Sequence, residues 1–294
     1  MVAVFVDWEN FVMNEDVNTK IEKYYDESTF FYRYLWGNKK NLAMHFGFWD
    51  KDTKNLNDAL INENKYVADA LDIKKGDKVL DAGCGVGGSA IWIAENYGAN
   101  VIGITIIKNH ITLAKKYAKE RKVSDLTRFE LRDFCDTGLP SESFDKIYSI
   151  ESACHAIDKR VFLKEMFRLL KKGGKLVVCD GFIIKDHLSE IDKKQYEDLC
   201  VGWALPSLAS YSKFRADLSE IGFRDIQSQK ATEKVIKSSK EMYKSSKYIH
   251  PLMVIFAKLQ LTSKTNVLAE LACQAQYHIF KDKTAVYGIF TSKK

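Results

Sequence analysis

A glycine-rich turn between two regular segments constrains this fold more than any other feature of the sequence. The apolar run at 78–82 leads into Gly83, Gly85 and Gly87, and residues 88–97 then carry apolar side chains at helical spacing. The pattern predicts a strand, a tight loop and a helix, closed by Gly98. Glycine lets the backbone approach a ligand closely, and the helix points its first amides at that ligand, so the turn indicates a nucleotide-type site.

The glycines alone leave the ligand open. Gly83, Gly85 and Gly88 also have the G-x-G-x-x-G spacing of dinucleotide-binding folds. Asp81, at the mouth of the loop, would repel a pyrophosphate but suits a ligand with an ammonium or sulfonium group. The second predicted strand, 100–105, ends without the acidic residue that holds a ribose in dinucleotide folds. Both observations disfavour NAD as the ligand.

Strands and helices alternate along most of the chain. The periodicity predicts a helix near 56–71 and then strands at 78–82, 100–105, 128–132, 146–151, 175–180, 223–229 and 285–290. Helices are expected at 88–97, 108–121 and 159–171, with Gly173-Gly174 stopping the last of these, and at 214–222. This order predicts an α/β, Rossmann-like, doubly wound and mostly parallel seven-stranded sheet. Ligands of such sheets bind beyond the carboxyl ends of the strands, where the sequence places Gly83, Thr105, Asp133, Glu151 and Asp180.

Three segments are additional to this core, which spans 56–294. Residues 1–55 are rich in aromatic side chains and predict a helical N-terminal arm that packs on the core or covers a ligand as a lid. The lid is favoured because tyrosine hydroxyls and His45 provide polar tips in an apolar surround. Insertions at 184–212 and 232–283 should be helical, since loops of that length are unusual, and would deepen a pocket as lids. Core packing of the arm, and dimer packing of the insertions, are the alternatives.

Composition limits the classes of partner. The chain has a net charge of +6 and is 46% hydrophobic and 29% charged, which is ordinary soluble composition. Its lysines are scattered rather than clustered, which disfavours nucleic-acid binding. The cysteines form no C-x-x-C pair, so we expect reduced thiols, a cytoplasmic protein and no metal site. No stretch predicts a membrane span, whereas transient contact with a membrane surface, and a monomer or a homodimer, remain open.

The segment Val79-Leu80-Asp81-Ala82-Gly83-Cys84-Gly85-Val86-Gly87 resembles the first motif of the class I S-adenosylmethionine (SAM)-dependent methyltransferases. The resemblance extends to later strand ends. It implies that SAM is the cofactor, S-adenosylhomocysteine (SAH) the product, and that the cofactor is bound by Asp81, Gly83, Cys84, Gly85, Gly87, Thr105, Ile106, Asp133, Phe134 and Glu151.

Two of these positions illustrate the match and its limit. Asp133-Phe134 matches the place where the family offers a carboxylate to the adenine amino group and an apolar side chain to the adenine face. Thr105 departs from the family pattern, because most members carry an acidic residue there for the ribose hydroxyls. A threonine hydroxyl makes only one such bond, so ribose binding should also use the backbone at Ile106.

A second segment, His45-Phe46-Gly47-Phe48-Trp49-Asp50, resembles a stretch that precedes the first core helix in small-molecule methyltransferases. With Tyr24-Tyr25-Asp26 it is similar to the sterol, tocopherol and glycine or sarcosine enzymes. The resemblance implies methyl transfer to a small, largely apolar acceptor such as a sterol, isoprenoid, quinol or tocopherol-like molecule. Glu151, His155, Tyr24 and Tyr25 are the candidate catalytic residues, which would orient the acceptor, stabilise a cation or accept a proton.

Other functions remain open from the sequence. N-methylation of glycine, sarcosine or a phosphobase would require an anion clamp, for which Arg33, Arg132, Arg160 and Lys39-Lys40 are possible but unclustered sources. A SAM-binding protein without catalysis, or an NAD-type oxidoreductase, is an alternative of another class.

Overall fold

A twisted sheet forms the centre of the computed structural model, which describes residues 16–31, 36 and 41–294. In these residues the strands lie in the order β3-β2-β1-β4-β5-β8-β7, and a two-residue strand, β6, pairs with β5. Strand β8 runs antiparallel to β5 and β7, while the other pairs are parallel. The predicted Rossmann-like sheet is therefore confirmed. The strands are β1 (Lys78–Ala82), β2 (Asn100–Thr105), β3 (Thr127–Leu131), β4 (Phe144–Ile150), β5 (Leu170–Ile183), β6 (Ala209–Ser210), β7 (Arg224–Lys230) and β8 (Ala285–Lys293).

Helices connect these strands and cover both faces of the sheet. In the described residues they are α1 (Val17–Phe31), α2 (Leu56–Leu71), α3 (Gly88–Tyr97), α4 (Lys108–Glu120), α5 (Lys159–Leu169), α6 (Glu190–Gly202), α7 (Tyr211–Ile221), α8 (Thr232–Lys258) and α9 (Lys264–Lys281). A single 3₁₀ turn, Ala153–His155, follows β4.

Each face of the sheet has its own hydrophobic core. Phe162 of α5 and Phe214 of α7 are buried in the core on one face. Val67 of α2, Ile91 of α3 and Ile279 of α9 belong to the core on the other face. Burial of such side chains stabilises the sheet by about 1.5–3 kcal/mol each and fixes where its strand ends lie.

One predicted boundary is wrong. The helix expected at 159–171 ends at Leu169, and β5 begins at Leu170, five residues before the predicted strand. Leu170 is buried, has extended backbone angles and pairs with Phe144 of β4, so its side chain is held in the core by the sheet. Gly173, with a φ of +77°, lies within the strand and does not end the helix.

The N-terminal arm is helical only in part. Helix α1 covers Val17–Phe31, but residues 41–55 are irregular, contrary to the expectation of a helical arm over 1–55. The irregular segment is tied down by its backbone, since Phe48 N donates to Ala59 O at 2.9 Å and Trp49 N donates to Lys234 O at 2.8 Å. Predictions for the aromatic residues Phe5, Trp8, Phe11, Phe30, Phe31, Tyr32 and Tyr34 lie outside the described residues or side chains.

Helices occupy both insertions. Helix α6 lies in the first, and α8 and α9 form a helical pair in the second. Helices α6 and α9 approach closely at Gly202, where a Cβ would lie 2.2 Å from the carbonyl oxygen of Leu268. Among the helices that the structure describes, none combines the length and the apolar character needed to cross a bilayer.

Candidate functional site

The glycine loop after β1 has backbone angles that favour glycine. Gly83 and Gly85 have φ values of +99° and +50°. A Cβ at Gly83 would lie 2.3 Å from Cβ of Ser152, so a larger residue would clash at the end of β4. The amides of Gly83 and Cys84 donate to Ile104 O at 3.0 and 2.9 Å, which holds the loop against β2. The loop is thus fixed at the carboxyl edge of the sheet.

This edge borders a cavity of about 290 Å³, the first cavity. The predicted site residues that line it are Tyr25, Asp81, Gly83, Cys84, Gly85, Thr105, Ile106, Asp133, Phe134, Glu151 and His155. Two others do not line it. Gly87 faces the core, where a Cβ would lie 2.9 Å from Cβ of Ala114, and it caps α3 with a φ of +86°. Tyr24 is buried beside a different cavity.

Asp81 is buried at the floor of the first cavity. Burial raises the pKa of Asp81 to about 7, although nearby Tyr148 and His45 act in the opposite direction. Its Oδ2 atom is enclosed and makes no hydrogen bond of good geometry with the described residues. A buried carboxylate in this state gains most from a cationic hydrogen-bond donor.

Polar groups at the next two strand ends also face this cavity. Thr105 Oγ1 accepts from Ile107 N at 3.2 Å, which leaves the hydroxyl hydrogen free to be donated to another acceptor. Asp133 accepts from Cys135 N at 2.7 Å and from Asn18 Nδ2 of α1 at 3.3 Å. The second contact ties the arm to the strand end. Phe134 packs edge-on against Phe162, with ring centroids 5.3 Å apart.

Tyr25 and His155 meet where α1 crosses the end of β4. The Tyr25 hydroxyl lies 3.0 Å from Nε2 of His155. Burial, with nearby Lys159, lowers the pKa of His155 to about 4. The imidazole is therefore neutral at physiological pH and can accept a proton, or a hydrogen bond from Tyr25, at Nε2.

Glu151 links the cavity to a buried polar network. Its φ is +48°, a strained value for a non-glycine residue that costs of the order of 1–3 kcal/mol. Glu151 Oε1 accepts from Phe46 N at 2.8 Å and from the Tyr287 hydroxyl at 3.0 Å. The same hydroxyl lies 2.5 Å from Oε1 of Glu63, whose other oxygen is 3.0 Å from His45 Nδ1. Burial and the neighbouring Glu63 raise the pKa of Glu151.

A second cavity, of about 70 Å³, lies on the other side of this network. Its walls are mainly apolar and include Phe46, Leu199, Trp203, Ile279 and Phe280. The residues that line both cavities are Tyr25, Met44, His45, Glu151 and His155. The two cavities therefore meet at these five side chains.

A third cavity, of about 230 Å³, continues from the second between α8 and α9. The residues shared by the second and third cavities are Tyr24, Trp36, Trp203 and Met242. Three cavities thus follow one another from the glycine loop to the helical insertion. This succession can hold a ligand at the strand ends beside a second, elongated and largely apolar molecule.

Sequence reasoning missed several lining residues. His110 is buried in the first turn of α4, lines the first cavity and lies 2.8 Å from Thr29 Oγ1 of α1. His110 lies five residues after Thr105, at the start of the helix that follows β2. That position in the sequence could have identified it as a residue near the strand ends. Met44 also went unnoticed, since nothing in the sequence shows that it approaches the glycine loop, where its sulfur would be 3.1 Å from a Cβ at Gly85.

Comparison with known proteins identifies the family. Residues 13–281 match the family described as Mycolic acid cyclopropane synthetase. The sterol 24-C-methyltransferase of Pneumocystis carinii (strain B80) is 32% identical over 219 residues, which cover 74% of this chain and 56% of that protein. The chain thus spans about half the length of the curated relatives it matches.

Two solved structures share the fold. The cyclopropane synthase MmaA2 from Mycobacterium tuberculosis has a TM-score of 0.80 and 15% identity, with full coverage of both chains. The mycolic acid cyclopropane synthase CmaA1, complexed with SAH and CTAB, has a TM-score of 0.80 and 18% identity over 96% of this chain and 99% of that one. The resemblance to SAM-dependent methyltransferases is confirmed, and the chain belongs to the mycolic acid cyclopropane synthetase family.

Proposed function

We propose that the protein transfers a methyl group from SAM to a carbon atom of a small, largely apolar acceptor. The observation that carries this proposal is the junction of the first and second cavities at Tyr25, Met44, His45, Glu151 and His155. A direct displacement requires the nucleophile, the methyl carbon and the sulfur to be aligned in a dry site. A junction between a cavity that carries polar groups at the strand ends and a second cavity with aromatic walls meets that requirement.

The residues of the first cavity fit SAM. The buried carboxyl group of Asp81 suits the amino group of the methionine moiety, and the loop at Gly83 and Gly85 leaves room for close backbone contact. Thr105 would hold the ribose, and Asp133 with Phe134 the adenine. CmaA1, which shares the fold, is complexed with SAH, and this supports the assignment. When bound, SAM supplies the electrophilic methyl group.

The second and third cavities would hold the acceptor. Apolar and aromatic walls in the second cavity favour a hydrocarbon portion next to the methyl group. At the far end, Ser28 and Asn266 line the third cavity, and Ser28 Oγ and Asn266 Oδ1 are buried without a partner in the described residues. Both atoms would be satisfied by a hydrogen-bonding group of the acceptor. The acceptor would thus be elongated, apolar at the reacting end and polar at the other.

The junction residues suit methylation of an alkene. Addition of a methyl group to a double bond leaves a carbocation, which the face of an aromatic ring, together with the carboxyl oxygens of Glu151, would stabilise. A proton must then leave. Tyr25 and His155 form the acceptor for it, because the neutral Nε2 of His155 can take the hydroxyl proton of Tyr25 as Tyr25 receives one.

N-methylation of a phosphobase or an amino acid is less well supported. Among the residues that the structure describes, no arginine or lysine lines any of the three cavities. Arg132 contacts Glu130, and Arg160 pairs with Asp217 and Glu220, so both guanidinium groups are engaged elsewhere. Arg33 and Lys39-Lys40 lie outside the described residues.

The six cysteines are all unpaired, which supports our expectation of a reducing, cytoplasmic setting.

The test is a methyl-transfer screen. The protein is incubated with methyl-labelled SAM and a panel of sterols, isoprenoids, quinols, unsaturated acyl chains, glycine derivatives and phosphobases, and products are analysed by mass spectrometry. Calorimetry with SAH and with NAD runs in parallel. We expect SAH binding and label on a carbon of an apolar acceptor. Label confined to amines, or binding of NAD but not SAH, would refute the proposal.

A further inference from the structure

The C-terminal half of α8 carries an exposed apolar stripe. Tyr248, Leu252, Ile255, Phe256 and Leu259 follow one another at spacings of four, three, one and three residues, which place them on one side of a helix. Their exposed fractions range from 43% at Phe256 to 77% at Tyr248. Leu261, just beyond the helix, extends this surface, which we name the α8 stripe.

The opposite side of α8 packs on the protein. Ser246 and Met253 are buried there, and Ser246 Oγ donates to Glu270 O of α9 at 2.5 Å. Because the helix already packs on the protein through its inward side, the α8 stripe is surplus to the core. Contiguous exposed apolar surface of this kind marks an interaction site.

Positive charge surrounds the α8 stripe. Lys247, Lys258 and Lys264 are exposed on or next to the helix. Lys244 is also exposed, but it pairs with Glu241 at 2.8 Å. The sequence from 242 to 269 contains no aspartate or glutamate. Glu27 of α1 reaches the edge of this region, where it accepts a hydrogen bond from Ser263. A stripe of large apolar side chains flanked by lysines complements the anionic surface and the apolar interior of a lipid bilayer.

We propose that the α8 stripe docks the protein on an anionic membrane surface, with the helix lying in the interface plane. The apolar side chains would enter the boundary between headgroups and acyl chains, and the lysines would contact lipid phosphates. The exposed hydroxyl of Tyr248 suits the same boundary, because tyrosine places an apolar ring and a polar tip there.

Docking here would bring the third cavity to the bilayer. Ser245, Ser246 and Ile249 of α8 line that cavity, directly behind the stripe on the same helix. A membrane-resident acceptor could enter between α8 and α9 without crossing water. This last step rests on the proposed function, whereas docking itself does not.

The experiment is co-sedimentation of the full chain with vesicles of phosphatidylcholine alone or mixed with phosphatidylserine, without SAM or acceptor. The test variant is Leu252→Ser/Leu259→Ser. The matched control is Leu131→Ser/Ile191→Ser, since Leu131 and Leu252 are each 54% exposed and Ile191 and Leu259 are 71% and 62% exposed. Circular dichroism and SAH calorimetry show whether each variant is folded, and sedimentation velocity gives the oligomeric state.

We expect binding to the anionic vesicles that weakens with salt. The partition coefficient should fall on the order of tenfold or more in the test variant and stay unchanged in the control. Absence of vesicle binding by the unaltered protein, or equal losses in both variants, would overturn the proposal. Self-association that the test variant abolishes, without vesicle binding, would assign the stripe to a second copy of the chain and overturn it too. A failure of the methyl-transfer screen would leave this result intact.

Discussion

The Tyr25 hydroxyl lies 3.0 Å from Nε2 of His155, and this contact joins the N-terminal helix α1 to the carboxyl end of β4. The two residues are 130 positions apart in the chain, and both line the first and second cavities. Asn18 of the same helix contacts Asp133 at another strand end. Helix α1 therefore borders one side of the first cavity, and its role as a lid stays a prediction.

Tyr25→Phe should lower methyl transfer far more than cofactor affinity. The substitution removes the hydroxyl that faces His155 but keeps the ring, so the packing of α1 is maintained. We expect single-turnover transfer to fall by about a hundredfold, which is the usual contribution of a positioned proton-transfer group. SAH affinity, measured by calorimetry, should change by less than about twofold.

The control for this prediction is Tyr66→Phe. Tyr66 also loses a hydroxyl hydrogen bond, 3.1 Å to Gln229, but does not line the first or second cavity. Its turnover should equal that of the unaltered protein. Comparable losses in both variants would show that any tyrosine hydroxyl matters and that Tyr25 has no special role.

Cofactor affinity should depend on pH through Asp81. Its pKa is raised to about 7 in the free protein, so below pH 7 the carboxyl group is protonated and cannot pair with a cation. The affinity for SAH should therefore fall as the pH drops, approaching about tenfold per unit below pH 7. Calorimetry between pH 5.5 and 7.5 measures this slope.

Asp81→Asn separates this titration from others in the site. An amide keeps the size of the side chain but cannot ionise, so the affinity should be about 10 to 100-fold weaker at pH 7.5 and nearly independent of pH. If the variant retains the slope of the unaltered protein, another group titrates and Asp81 does not contact the amino group.

The stability of the site should rest on the buried pair of His45 and Glu63, which are 3.0 Å apart. Burial alone would lower the pKa of His45. The charge of Glu63 and the hydrogen bond between the two side chains raise this pKa to about 9. Glu63→Leu would leave a buried cation unpaired, and we expect a loss of about 3–5 kcal/mol in the free energy of unfolding near pH 6.

The pH dependence of the free energy of unfolding distinguishes loss of this ion pair from loss of packing. A histidine whose folded pKa is raised contributes stability fully below its ordinary value of 6.5 and loses it as the pH rises through about 9. The cost of Glu63→Leu, measured by urea unfolding, should therefore shrink between pH 6 and pH 9.5. The double variant His45→Leu/Glu63→Leu should recover part of the stability. A constant cost across this range would indicate lost packing only.

The strand ends were predictable because parallel topology brings them to one edge of the sheet. Asp81, Thr105, Asp133 and Glu151 each lie at or just after the carboxyl end of a strand whose apolar pattern is visible in the sequence, so their proximity required no knowledge of contacts. Gly87 does not line the first cavity, because a glycine-rich loop has two sides. Spacing alone does not show that this glycine faces Phe129 and the core.

The acceptor side of the site could not be predicted in the same way. Trp203 directly follows α6, Met242 lies in α8 and Tyr287 lies in β8. They meet only because the helical insertion folds back over the sheet. Their separation is set by tertiary packing, such as the close approach of α6 and α9 at Gly202. Periodicity predicts that such segments are helical but does not specify which side chains they bring together.

The polar end of the third cavity should select the acceptor. Asn266 Oδ1 is buried there without a partner in the described residues, and Ser28 Oγ faces the same space. An acceptor hydroxyl that donates to Asn266 would lose this bond in Asn266→Leu, at a cost of about 1–3 kcal/mol, which corresponds to roughly 5 to 150-fold in KM. Turnover at saturating acceptor and SAH affinity should hardly change, because the methyl group is transferred at the far side of the second cavity.

Two acceptors that differ only in the distal hydroxyl test this prediction directly. The acceptor identified in the screen is compared with an analogue in which a methyl ether replaces its distal hydroxyl. The unaltered protein should discriminate between the two, while Asn266→Leu should bind both about equally. Asn96→Leu, at an exposed position on α3 whose side chain donates to Trp92 O at 2.8 Å, serves as the control and should keep the discrimination. Discrimination that survives in Asn266→Leu would place the polar end of the acceptor elsewhere, because the hydroxyl would then have found its partner outside the third cavity.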